Sequence, residues 1–92
     1  MKEELEAPDI HPDSRAMELI RVWLIDGKPT CVITPNLWDD PSAWGLLIAD
    51  LIRHLGNAYS INGQDRASTI ARIKEVFDVE WKDPTSDARP IT

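Results

Sequence analysis

The sequence predicts an α+β domain in which a β-hairpin is followed by two amphipathic helices. Three observations carry that expectation. Residues 20–33, IRVWLIDGKPTCVI, place a turn dipeptide between two strand-length runs rich in β-branched and aromatic side chains. Residues 41–59 repeat apolar side chains at helical spacing, and residues 65–81 do so again.

Asp26-Gly27 suits the two-residue type I′ turn, which needs positive φ at both central positions. Ile25 and Lys28 then close the loop, and opposed residue numbers sum to 53. One face of the hairpin brings Ile20, Val22 and Leu24 opposite Ile33, Cys31 and Pro29, an unbroken apolar surface expected to be the core side beneath the helices. The other face sets Leu19, Arg21, Trp23 and Ile25 opposite Thr34, Val32, Thr30 and Lys28, and is amphipathic rather than polar. Pro29 fits this register only if its end of the second strand is a free edge, because its missing N–H cannot serve another strand.

In NLWDDPSAWGLLIADLIRHLGNAYS, Asp40 is a natural N-cap and Pro41 suits the first helical position. Trp44, Leu47, Ile48, Leu51, Ile52, Leu55 and Tyr59 form the apolar stripe. Gly45, Ala49 and Gly56 line its flank, which either lets another backbone approach closely or is tolerated without purpose. Asp65 is the expected cap of a second helix bearing Ile70, Ile73, Phe77 and Trp81. That helix is expected to run to about Asp78, with a short third strand at residues 79–82 as the alternative ending, since Asp78 to Lys82 also alternates.

The acidic, proline-bearing stretch 1–12 is read as a mobile arm, residues 13–82 as a single α+β domain, and residues 83–92 as a mobile tail. Sixteen acids against ten bases give a net charge of −6, which argues against a nucleic-acid backbone or an anionic membrane as partner. A lone cysteine, no signal-peptide core and no membrane-length apolar run point to a cytoplasmic, reduced protein.

The run ELIRVW, then DPSAWGLLIADLIRHL with AY just beyond, then RIKEVFDVEWKDPT, resembles a family of short uncharacterised bacterial proteins known as a domain of unknown function. The likeness spans most of residues 15–86 and rests on the spacing of these tracts. It supports the element boundaries and implies no activity, cofactor or catalytic residue.

No catalytic, cofactor or metal motif stands out in the chain. Asp50 and His54, at i and i+4 beside Arg53, could let a carboxylate orient an imidazole, but a helix-surface ion pair is the favoured reading because no nucleophile is placed beside them. Cys31 is expected to act as a small core hydrophobe. Asp9, His11 and Asp13 offer metal-type ligands without a fourth, so no metal site is expected. The four glycines are all isolated, so no phosphate-cradling loop and no nucleotide cofactor are expected.

Of the four tryptophans, Trp44 and Trp81 are assigned to the core, and Trp38 is expected to fold back near Trp44. Trp23 stands on the second hairpin face and needs cover from the arm, a third strand or another molecule. Leu19, Arg21, Trp23, Ile25 and Val32 are therefore interface candidates, and a homodimer is the expected answer. The function expected is a small protein-interaction module that acts by binding rather than catalysis. The alternative is a small-ligand binder or enzyme with its pocket at the helix–sheet or dimer seam, using Asp50, Arg53 or His54.

Overall fold

The computed structural model describes residues 1–85, and they divide into two compact units, Met1–Pro35 and a second that begins at Asn36. The element order is β1 (Ile20–Ile25), β2 (Lys28–Ile33), α1 (Ser42–Ile61) and α2 (Arg66–Lys82), the α+β arrangement the sequence predicts. Of the predicted tail, residues 86–92 lie outside the described residues.

In the first unit β1 and β2 pair antiparallel with Trp23 opposite Thr30, Val22 opposite Cys31 and Ile25 opposite Lys28. This is the predicted register. Asp26 and Gly27 both take positive φ, 50° and 78°, as a primed turn demands. Beyond the last strand pair, Thr34 donates its N–H to the Leu19 carbonyl at 3.0 Å and its hydroxyl to the Glu18 carbonyl at 2.7 Å, which pins the open end. The sheet has two strands, so the end of β2 that carries Pro29 is an edge.

In the second unit α1 begins at Ser42, one residue after the predicted start, although Pro41 already has helical dihedrals. Asp40 still performs the capping, since its carboxylate accepts the Ser42 N–H at 2.9 Å. That bond, followed by the Ser42 hydroxyl, holds the Asp40 carboxyl below its ordinary value. Trp38 folds back edge-on to Trp44 with centroids 5.0 Å apart, as expected. Asp65 caps α2 through its carboxylate, which accepts the Ser68 N–H at 2.9 Å and the Ser68 hydroxyl at 2.8 Å.

Two expectations are corrected here. Residues 79–82 are helical and form no third strand, so α2 passes Asp78 and ends at Lys82. The reason is local: Trp81 stacks on Phe77 one turn back at 5.9 Å and 16°, and Asp83 donates its N–H to the Val79 carbonyl at 3.1 Å. Beyond the helix, the Glu80 carboxylate accepts the Thr85 N–H and hydroxyl. Trp81 is also not a core residue, because 77 % of it is exposed.

The two helices meet at Gly56, the buried residue of α1. A Cβ there would lie 2.7 Å from Ile70 Cγ1 and 2.8 Å from its Cδ1, so glycine is what lets Ile70 close on the α1 backbone. Ile52 and Ala49, one and two turns earlier on the same side, are half-buried. Gly45 has nothing within 4 Å of the corresponding position, so the predicted small-residue row is used at one end and idle at the other.

Candidate functional site: the hairpin face beneath the arm

The second face of the hairpin is where the sequence leaves an aromatic side chain in need of cover, and the arm supplies part of it. Lys2 places its ammonium 6.0 Å from the Trp23 ring centroid, within cation–π range. Glu4 reaches Arg21 at 3.5 Å and Lys2 at 4.0 Å. The Arg21 guanidinium also donates through Nη2 to both Glu18 carboxylate oxygens, at 2.9 and 3.0 Å. The Glu18 hydrogen bond and charge, with a smaller contribution from Glu4, raise the Arg21 pKa. Trp23 is thereby half-buried.

An open groove of about 800 Å3 runs between the arm and β1, lined by Leu5, Pro8 and Ile10 of the arm together with Met17, Val22 and Trp23, so that it takes in side chains of both hairpin faces. A smaller hollow of about 470 Å3 lies at the open end of the hairpin between Leu19, Arg21, Val32 and Thr34. Neither converges catalytic-type groups on one point. Both mix aliphatic side chains with charged ones, Glu3, Glu4, Glu6, Arg15, Glu18 and Arg21 in the larger and Glu18 and Arg21 in the smaller.

The aliphatic face of the hairpin is not the buried core that the sequence predicts, although Cys31 and Ile33 on it are half-buried. Ile20, Val22 and Leu24, assigned to the core, are 40 %, 64 % and 74 % exposed, whereas Trp23 on the opposite face is the better covered residue. The physical reason is the charge pattern of the arm: its carboxylates and Lys2 find Arg21 and the Trp23 ring, and no such groups stand on the aliphatic face. Among the other interface candidates, Leu19 is half-buried and Ile25 and Val32 are open. Residue patterns missed the role of Lys2, because a lysine in an acidic stretch carries no signal of the ring it will sit over.

The remaining candidates are dispersed. His54 Nε2 and Asp50 Oδ2 are 3.2 Å apart on the surface of α1, with both side chains more than half exposed. Arg53 is exposed beside them. Cys31 is a free, half-buried thiol on β2. Asp13 donates its N–H to His11 Nδ1 at 3.1 Å, a local turn contact. Among the described residues no three His, Cys, Asp or Glu side chains gather where they could hold a metal ion, and no helix is long and apolar enough to cross a membrane.

Comparison with known proteins adds the following. The family model described as "Domain of unknown function (DUF5076)" matches residues 4–85. A solved structure described as a putative pyruvate dehydrogenase from the photosynthetic bacterium Rhodopseudomonas palustrus CGA009 superposes with a TM-score of 0.72 at 28 % identity, covering 99 % of this chain and 94 % of the other. No curated protein matches.

Proposed function

We propose that this chain, which belongs to the DUF5076 family of domains of unknown function, is a cytoplasmic protein-interaction module that acts by binding rather than catalysis and works as a homodimer. One observation carries the reading. Among the described residues no hydrophobic side chain is buried, while Val22, Leu24, Ile25, Val32, Leu51 and Phe77 are all at least half exposed. A soluble chain with that much open aliphatic and aromatic surface has its favourable burial still to come, and contact with another protein provides it. On the hairpin, Leu19, Arg21, Trp23, Ile25 and Val32 are the candidate contacts. Arg21 can exchange Glu4 for an acid of the twin, because the pair stands in water and is weak.

The rival reading, a ligand binder or enzyme, draws on Asp50 and His54 and on the name given to the solved relative. That name belongs to the other protein, and here the Asp50–His54 pair stands on an exposed helix surface and lines neither groove. Sedimentation equilibrium of the whole chain tests the binding reading. A dimer is expected at high micromolar concentration, and Trp23→Glu is expected to weaken it. A monomer at every concentration reached defeats the homodimer.

A further inference from the structure

Among the described residues one row on α1 is largely open, with its head, Trp44, packed edge-on by Trp38. Gly56, Ile52 and Ala49 mark the side on which α2 lies. About a quarter-turn away, Ile48, Leu51, Leu55 and Tyr59 are 48 %, 54 %, 39 % and 45 % exposed, and half-buried Trp44 stands at the head of the same row. The spacing from 44 through 48, 51 and 55 alternates four and three residues, the interval at which two helices interlock side chains along a shared seam.

We propose that Trp44, Ile48, Leu51, Leu55 and Tyr59 form a self-association seam that takes the same row of a second copy of this chain, antiparallel, so that two α1 helices pair. The inference rests on the homodimer reading and names a surface for it on α1.

Three features select a second copy. The row is symmetric about the centre of the helix: α1 spans Ser42 to Ile61, and reversing it places Trp44 opposite Tyr59, Ile48 opposite Leu55, and Leu51 beside its own twin. A two-fold axis needs that self-complementarity, and a row with bulk at one end only would lack it. Antiparallel pairing also sets the two helix dipoles head to tail.

The second feature is charge. The ionised side chains of α1, Asp50 and Arg53 with His54 beside them, stand off the row, so a charged partner finds nothing to pair with. Two copies, each with a net charge of −6, meet there through neutral surface and bring no like charges together at the seam. The third is area. The row exposes on the order of 400 Å2 of largely apolar surface per copy, close to the apolar share of one partner's roughly 800 Å2 in a standard interface. Tyr59, at the end of the seam, can bury its ring and keep its hydroxyl wet.

The test is sedimentation equilibrium of the full chain beside Leu51→Glu, Leu46→Glu and Trp23→Glu, with far-UV circular dichroism to check the helices. Leu46 is 75 % exposed and off the row, so its variant controls for an added charge on α1. The expected result is a dimer for the unmodified chain and Leu46→Glu, and a dissociation constant raised by about a hundredfold for Leu51→Glu with helicity retained.

A second measurement covers the case in which Leu51→Glu fails to fold. Leu51→Cys in a Cys31→Ser background should form a disulfide-linked dimer on mild oxidation, and Leu46→Cys in the same background should not. An unmodified chain that stays monomeric defeats the homodimer reading and this inference with it. A dimer lost in Trp23→Glu but unchanged in Leu51→Glu leaves that reading standing and overturns this seam, as does a Leu51→Cys variant that does not cross-link.

Discussion

Gly56 and Gly45 are a matched pair of helical glycines in different surroundings. Each sacrifices helix propensity worth about 1 kcal/mol relative to alanine. At Gly45 nothing lies within 4 Å of the missing Cβ, so Gly45→Ala should raise unfolding free energy by up to about 1 kcal/mol. At Gly56 the added carbon would meet Ile70 at 2.7 Å and Arg66 Cγ at 3.3 Å, and forcing Ile70 aside should cost about 1–3 kcal/mol. Gly56→Ala is therefore expected to be the less stable of the two in urea melts, and equal gains from both would show that Ile70 yields freely. The sequence placed both glycines on one flank of α1. It could not say which one faced a neighbour, because that depends on where α2 crosses.

At the scale of the element, α2 is started by Asp65. Its carboxyl is held below the ordinary value chiefly by the Ser68 N–H and then by the Ser68 hydroxyl. A folded value below the unfolded one, about 3.9, means that the cap's contribution is complete above that pH and is lost as the pH falls through the lowered folded value. Asp65→Asn keeps an oxygen acceptor and cannot titrate. The unmodified chain should accordingly lose α2 helicity more steeply than Asp65→Asn below about pH 4, as followed by circular dichroism. Parallel acid titrations would show that this cap does not act through its charge. The start of α2 was legible because an N-cap is a local device. Its end was not, because residues 78–82 satisfy a strand alternation and a helical stripe alike, and the Phe77–Trp81 stack decides between them.

At the scale of the molecule, open apolar surface makes stability depend on concentration. If dimerisation provides the missing burial, each tenfold dilution removes about 1.4 kcal/mol of association free energy, and the melting temperature should fall with it. A melting temperature that stays constant over two decades of protein concentration would place the chain's stability within the monomer.

What the sequence determined by itself is whatever is settled between near neighbours. Asp26-Gly27 fixed the turn, the turn fixed the pairing of Trp23 with Thr30, and Asp65 fixed the start of α2, because each rests on dihedral preference or a bond spanning a few residues. Pairing fixes which side chains share a face, but it does not decide which face is covered. Ile20, Val22 and Leu24 read as the core, yet Lys2 and Glu4 settle over Trp23 and Arg21 on the other side. Only the tertiary structure decided that choice, since cover is a matter of what approaches from far along the chain. A lysine twenty-one residues from a tryptophan leaves no periodic trace.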